Sequence, residues 1–152
     1  MSNPDLSLLI TRALGVLEQL EAWLPAAPKP VDWSAKAFRW RKKGATAWLE
    51  AIHITDTIKP EDLLHIERQK EIIDRNTRFF VAGKPANNVL MTGSRGTGKS
   101  SLVKAMLNKY ADQGLRLIEV DKTDLNDLGD IVDLVHERPE RFLIFCDDLS
   151  FD

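Results

Sequence analysis

The segment Gly93–Ser100, "GSRGTGKS", decides the fold predicted for this chain, because it matches the pattern G-x-x-x-x-G-K-[ST] at every fixed position. Glycines at this spacing let the backbone curl so that successive N–H groups point into one concavity, which binds phosphate oxygens. Lys99 adds a point charge for the β- and γ-phosphates, the Ser100 hydroxyl can ligate Mg²⁺, and the next helix directs its positive end at the same phosphates. The sequence therefore predicts a nucleotide-phosphate site of the P-loop (Walker A) type. The alternative interpretation is an accidental flexible loop before a helix.

The segments on both sides of this loop alternate between strand-like and helix-like patterns. Short apolar runs predict strands, and apolar residues at helical spacing predict helices. In chain order the predicted elements are strand Asn87–Gly93, helix Ser100–Tyr110, strand Leu115–Val120, helix Asp124–Glu137 and strand Arg141–Cys146. This order predicts an α/β fold with a parallel sheet covered by helices.

The N-terminal third of the chain is predicted to be all helical. Apolar residues at helical spacing predict a helix from Pro4 to Leu24, and three closely spaced prolines predict a linker at residues 25–32. Further helices are predicted over Trp33–Leu49 and from Pro60 to about Phe80. We therefore predict a helical region at residues 1–54, followed by a nucleotide-binding domain at residues 55–152.

Two aspartates, Asp147 and Asp148, directly follow the third predicted strand. In a P-loop protein an acid at the tip of a neighbouring strand (Walker B) reaches the Mg²⁺, often through water. We therefore predict that Asp147 holds the metal together with Ser100, and that Asp148 is a catalytic residue that orients the attacking water. The alternative is that the two aspartates merely cap an apolar strand.

The amino-acid composition excludes few classes of function. The formal net charge of -2 argues against a protein that coats DNA through a basic surface. The single cysteine, Cys146, cannot form an internal disulfide, and no apolar run reaches the length of a membrane span. We therefore expect a cytoplasmic protein without a membrane partner. The guanine-reading N-K-x-D signature is absent, so ATP is the expected nucleotide and Mg²⁺ the expected ion.

The blocks "RGTGKSSLVKA" and "FCDDLSF" resemble an uncharacterised bacterial AAA-type family, domain of unknown function 815, and the resemblance runs from about Phe38 to the end of the chain. It implies an ATP-binding, AAA+-like ATPase core in which Asp147 holds the metal. By analogy, the segment "LLHI" would lie near the adenine through Leu64 and Ile66. The residues implied to hold the phosphates are Gly93, Ser94, Arg95, Gly96, Thr97, Gly98, Lys99, Ser100 and Ser101.

The resemblance also implies that parts of the core are missing from this sequence. An AAA+ core has the strand order 5-1-4-3-2, and the three predicted strands correspond to strands 1, 2 and 3. Strand 4, its polar sensor, an arginine finger and a helical lid are not found in the sequence. The expectation is an N-terminal portion of a longer protein, in which hydrolysis of Mg–ATP requires the missing C-terminal parts.

Other functions remain open at this point. One alternative is a P-loop kinase that acts on a small molecule. Another is a nucleotide-gated adaptor or loader, which associates with itself or with a protein client through its N-terminal helices. The segment "FRWRKKG" interleaves basic and aromatic residues, as nucleic-acid binding surfaces do. The simpler interpretation of that segment is a solvated helix face with its aromatic side chains packed inward.

Overall fold

The computed structural model describes residues 4–23, 30–94 and 96–147. The helices are α1 (Pro4–Trp23), α2 (Glu67–Val81), α3 (Lys99–Tyr110) and α4 (Leu128–Val135). The strands are β1 (Ala37–Lys43), β2 (Thr46–Ile52), β3 (Leu115–Glu119) and β4 (Arg141–Phe145). Short 3₁₀ turns occupy Pro60–Asp62, Ala111–Gln113 and Lys122–Asp127. The helices predicted from Pro4 and from Ser100, and the strands predicted from Leu115 and from Arg141, are confirmed.

The four strands form one mixed sheet in the order β2-β1-β3-β4. Strand β3 pairs in parallel with β1 on one side and with β4 on the other, whereas β1 and β2 are antiparallel. The α/β class is confirmed, but the sheet is mixed rather than wholly parallel. Because β1, β3 and β4 run in the same direction, their carboxyl ends meet at one edge of the sheet.

The segment 33–49 is not the predicted helix, and that prediction is wrong. It forms β1, a two-residue turn at Gly44 and Ala45, and the beginning of β2, with Lys43 paired to Thr46. Gly44 has a φ of +60°, which suits the first central position of such a hairpin turn. The burial of Phe38 and Trp40, with Arg41 exposed, follows the period of two that a strand requires.

Helices cover both faces of the sheet. Helix α3 packs on one face through a cluster that includes Met106 and Leu107 together with Leu117 of β3. Helix α4 packs on the other face, where Ile131 joins Phe38 and Ile118 in a second cluster. The two faces of β3 thus belong to two cores, and this fixes α3 and the loop before it against the parallel strands.

The helix predicted from Pro60 to about Phe80 is interrupted. A 3₁₀ turn at Pro60–Asp62 is separated from α2 by residues 63–66, where His65 has a φ of +64°. A residue whose backbone has this left-handed conformation cannot continue a right-handed helix. The helix predicted over Asp124–Glu137 is likewise shorter, because residues 122–127 form a 3₁₀ turn before α4 begins.

The strand predicted over residues 87–93 is not formed, and that prediction is also wrong. Val89 and Leu90 are 47% and 67% exposed, respectively. Among the described residues the last strand on this side of the sheet is β4, and a groove of about 330 Å³ lies between it and residues 86–91. A strand exists by pairing its backbone N–H and C=O groups with a neighbour, so the apolar pattern alone is not sufficient.

Within the described ranges, no helix combines the length and apolar character that crossing a bilayer requires. Most of the proline-rich segment predicted as a linker, residues 24–29, lies outside the described residues, as do Arg95 and Asp148.

Candidate glycine-rich loop site

The loop that precedes α3 depends on glycine at three positions. Gly93, Gly96 and Gly98 have φ values of +146°, +83° and +83°, which side chains rarely tolerate. A Cβ atom on Gly93 would lie 3.1 Å from Oγ1 of Thr97, so the loop is also closely packed at its entrance. These glycines allow the chain to turn back on itself and enter the helix within six residues.

The side chain of Lys99 closes this turn. Its Nζ donates hydrogen bonds to the carbonyl oxygens of Gly93 at 2.8 Å and of Ser94 at 2.9 Å. The hydroxyl of Thr97 donates to the same Ser94 carbonyl at 2.8 Å. The ammonium group is therefore held against the glycine-rich loop, at the N-terminal end of α3.

Helix α3 begins at Lys99, with Gly98 as its N-cap residue. The N–H of Leu102 donates to the Gly98 carbonyl at 2.9 Å, which is the first bond of the helix. The N–H groups of residues 99–101, including that of Ser101, precede this bond and have no carbonyl one turn earlier in the helix. Together with the helix dipole they form a positively polarised end that faces the loop.

Ser100 and Asp147 come together although 47 residues separate them in sequence. The Ser100 hydroxyl donates to Oδ2 of Asp147 at 3.0 Å. Ser100 lies in the first turn of α3, and Asp147 lies two residues beyond the end of β4. The contact places a hydroxyl and a carboxylate, which are both ligands that Mg²⁺ accepts, beside the N-terminus of α3.

This pair borders a cleft of about 740 Å³ at the carboxyl ends of the parallel strands. The walls come from the end of β1, the segment after β3, the end of β4 and the first turns of α3. The lining residues used below are Arg39, Arg41, Lys104, Glu119, Asp121 and Thr123. The carboxyl edge of a parallel sheet is the usual position of ligand sites in α/β proteins.

The basic side chains around the cleft make ion pairs within the chain. Arg39 donates twice to one oxygen of Glu119, with the shorter bond at 2.6 Å. Arg41 pairs with Glu50 at 2.7 Å, and Lys104 pairs with Asp56 at 2.7 Å. Lys42 of the same segment pairs with Asp127 at 2.9 Å, so three of the four positive charges of "FRWRKKG" are in ion pairs. Its aromatic residues Phe38 and Trp40 are buried rather than available for stacking.

The two residues implied to contact adenine lie between the 3₁₀ turn and α2. Leu64 is 68% exposed, whereas Ile66 packs against the same apolar cluster as α3. The preceding residue, Leu63, also packs there, and its carbonyl accepts a hydrogen bond from Lys70 at 2.6 Å. This segment is thus joined to α3 through the core, and its contact with a base stays a prediction.

Sequence reasoning missed the contribution of β1 to the cleft. Because residues 33–49 were predicted to be helical, Arg39 and Arg41 were not expected beside Ser100 and Asp147. The signal that could have found them is the alternation of aromatic and basic residues in "FRWRK", followed by Gly44. An alternation of this kind gives a strand one buried and one open face.

The surroundings of Cys146 lower the reactivity of its thiol. Burial, and then the negative charges of Asp121 and Asp147, raise the pKa of its thiol. A thiol with a raised pKa is a poor nucleophile at neutral pH. Among the described residues, no group of three or more His, Cys, Asp or Glu side chains is arranged to hold a metal ion.

Fold and site together define an α/β protein that carries a glycine-rich loop at the N-terminus of a helix, beside the carboxyl ends of parallel strands. Comparison with protein families identifies the particular group. The chain belongs to the family described as "Protein of unknown function (DUF815)", whose model matches residues 33–152. The match covers the hairpin, the sheet, the loop and Asp147, and begins after α1. Neither the curated proteins nor the solved structures that were compared gave a match.

Proposed function

We propose that this chain is an AAA+-like P-loop module that binds Mg–ATP through the glycine-rich loop and the N-terminus of α3. The observation that carries the proposal is the 3.0 Å hydrogen bond from Ser100 to Asp147. It joins the last residue of the G-x-x-x-x-G-K-[ST] motif to the acid at the tip of a parallel strand. Ser100 and Asp147 are both expected to bind the Mg²⁺ ion of the nucleotide, and they lie side by side although they are distant in sequence.

The loop suits the phosphates of a nucleotide. Backbone N–H groups at a helix N-terminus bind anions, and the residues that curl the loop carry no side chain that would fill the concavity. An added Cβ at Gly96 or Gly98 would meet no atom within 4 Å, so the space beside both residues is open. Lys99 would exchange its two carbonyl contacts for β- and γ-phosphate oxygens, which are stronger partners because they are charged.

The donor set also suits Mg²⁺. This ion prefers oxygen ligands, keeps several waters, and is commonly held by one or two protein groups plus phosphate oxygens. Ser100 and Asp147 supply one hydroxyl and one carboxylate. The ion would supply charge neutralisation at the phosphates, Ser100 would ligate it directly, and Asp147 would hold it directly or through a water molecule. Asp148 is proposed to orient the attacking water, and Leu64 and Ile66 to contact the adenine.

Binding of Mg–ATP to the whole chain, measured by isothermal titration calorimetry, tests this proposal. Lys99→Ala is expected to abolish detectable binding, because it removes the only side-chain charge within the motif's fixed positions. Lys109→Ala is the matched control, since Lys109 lies at the other end of α3 and pairs with Asp74. Wild-type affinity in Lys99→Ala would refute the site.

The other interpretations stay predictions. The ion pairs of Arg39 and Arg41 within the chain do not favour nucleic acid as a partner. A small-molecule kinase, a nucleotide-gated adaptor, a cytoplasmic location and the dependence of hydrolysis on further segments are likewise predictions that await experiment.

A further inference from the structure

The segment that leads into the glycine-rich loop has little structure of its own. Residues 85–92 form neither a helix nor a strand, and Val89 and Leu90 are exposed. Met91 packs against the apolar cluster of α3. Among the described residues, no backbone group of residues 85–92 is hydrogen-bonded to another backbone group. The position of the loop that follows therefore depends on how else this entry segment is held.

The side chain of Asn76, in α2, holds the entry segment. Its Nδ2 donates to the carbonyl oxygen of Asn87 at 2.8 Å, and its Oδ1 accepts from the N–H of Asn87 at 2.9 Å. One side-chain amide thus pairs with both backbone groups of one residue, as a neighbouring strand can do. Within the part of the chain that the structure describes, these are the only hydrogen bonds of residues 85–92.

The end of α2 directs the chain back to this side chain. Gly83 has a φ of +71°, and its N–H donates to the carbonyl oxygen of Phe80 at 3.0 Å. The N–H of Lys84 donates to the carbonyl oxygen of Phe79 at 2.9 Å. These two bonds form a Schellman motif, which ends the helix and reverses the chain. The reversal brings Asn87 beside an earlier turn of α2.

Helix α2 is a firm support for Asn76. Ile73 and Phe80, about one turn before and one turn after it, pack against the apolar cluster of α3. Asp74 accepts a hydrogen bond from Lys109 of α3 at 2.6 Å. The glycine-rich loop is therefore suspended between two joined helices, with α3 directly after it and Asn76 of α2 holding the segment before it.

We infer that Asn76 is a positioning residue for the nucleotide site, because its pairing with Asn87 preorganises the glycine-rich loop for Mg–ATP. The inference rests on the proposed function and adds to it a residue that lies outside the loop motif. Without the pair, the entry segment has no hydrogen bond to fix it, and nucleotide binding has to order the segment at a cost in affinity.

Isothermal titration calorimetry with Mg–ATP on the whole chain tests this role. Asn76→Ala is expected to weaken binding about tenfold, because two hydrogen bonds that order the loop are lost. Asn108→Ala is the matched control. The Nδ2 of Asn108 also donates two hydrogen bonds to the backbone, to the carbonyl oxygens of Asp56 and Ile58 at 2.9 Å each, but that segment does not lead into the loop. This variant is expected to keep wild-type affinity.

Asn76→Asp is a second variant that leaves no cavity, because the two side chains have the same size. Its carboxylate can still accept from the N–H of Asn87, but its other oxygen faces the carbonyl of that residue and cannot donate to it. We expect a loss of affinity similar to that of Asn76→Ala. Near-ultraviolet circular dichroism would verify that both variants are folded.

Backbone ¹⁵N relaxation separates positioning from a general loss of stability. In the free variants the order parameters of residues 86–92 are expected to fall, those of β3 to stay at the wild-type level, and Mg–ATP to restore the former. Wild-type affinity in both Asn76 variants, or unchanged order parameters at residues 86–92, would overturn the positioning role while the proposed function stands. A wild-type chain that does not bind Mg–ATP would instead refute the proposed function, and the positioning role with it.

Discussion

At the scale of single residues, the glycine-rich loop is defined by backbone conformation. Gly98, which has a φ of +83°, is the last residue of the loop and also the N-cap residue of α3. Its carbonyl accepts the first hydrogen bond of the helix, from Leu102. The conformation of this one residue therefore sets the direction in which the first N–H groups of α3 point.

Gly98→Ala is expected to lower the free energy of unfolding by about 1–2 kcal/mol, the cost of a Cβ in the left-handed region. Gly129→Ala is the control, because Gly129 lies in the first turn of α4 with open space beside it and without a left-handed φ. That substitution is expected to stabilise the protein by about 0.4–1 kcal/mol. Urea denaturation of both variants measures the difference, and equal effects of the same sign would contradict the assigned geometry.

Asp147 is the residue that should make nucleotide binding depend on magnesium. Asp147→Asn can still accept a hydrogen bond from Ser100 but loses the charge that attracts the ion. We expect ATP affinity in the presence of a chelator to be unchanged, and the gain in affinity on adding Mg²⁺ to fall about tenfold or more. Asp121→Asn is the control, since Asp121 borders the same cleft but caps the 3₁₀ turn at Lys122–Asp127, where it accepts hydrogen bonds from the N–H and the hydroxyl of Thr123. Full magnesium dependence in Asp147→Asn would exclude a metal role.

At the scale of elements, helices α2 and α3 are joined by a charged contact. Oδ1 of Asp74 accepts hydrogen bonds from Lys109 at 2.6 Å and from the Tyr110 hydroxyl at 2.8 Å. Burial by itself raises the pKa of Asp74, but the hydrogen bonds from Lys109 and Tyr110 outweigh it and hold the pKa below the ordinary value of 3.8. The folded state therefore favours the charged form of this carboxyl group.

The sign of the resulting pH dependence follows from the lowered pKa. The stabilisation is fully present above the unfolded-state pKa, near 3.8, and is lost as the pH falls through the lower pKa of the folded state. We expect Asp74→Asn to lower the free energy of unfolding by about 1 kcal/mol at neutral pH, because the ion pair is partly exposed. This difference from wild type should shrink as the pH falls below 4, and denaturation at several pH values measures it. A difference independent of pH would argue that packing, not charge, joins the helices here.

The helices and strands also show which sequence patterns are sufficient by themselves to predict secondary structure. The apolar spacing of residues 99–110 was sufficient to predict helix α3, because its apolar residues recur at helical spacing and are buried against the core. The hairpin of β1 and β2 was misassigned because Trp33, Trp40 and Trp48, which are seven and eight residues apart, fit a helix period. Phe38 and Trp40, which are two residues apart, fit the strand period instead. What selects the strand is the parallel pairing of Phe38 with Ile118, which is 80 residues away.

At the scale of the whole molecule, nucleotide binding and folding should be linked. A ligand that binds only the folded state stabilises it by RT ln(1 + [L]/Kd), which is about 2.7 kcal/mol at a hundredfold excess over Kd. Mg–ATP is therefore expected to raise the unfolding temperature of the wild-type chain, and Mg–GTP to raise it less, since the guanine-reading signature is absent. Differential scanning calorimetry measures both. An equal rise in Lys99→Ala would show that the stabilising site is elsewhere.

The sequence by itself determined the local features of this protein: the conformation of the glycine-rich loop, helix α3 that follows it, the amphipathic helix α1, and the two strands β3 and β4. The loop and the two helices depend on interactions between residues close in the chain, so a short pattern carries the information. The apolar runs of β3 and β4 predicted these strands, but each strand forms by pairing with a distant neighbour. The two motifs predicted that Ser100 and Asp147 lie together, and the structure has them within hydrogen-bond distance. Only the tertiary structure decided that "FRWRKKG" is a strand and that residues 87–93 are not one. These outcomes depend on which backbone groups find partners far away in sequence, and hydrogen-bond pairing across a sheet is not encoded in the apolar period of either partner alone.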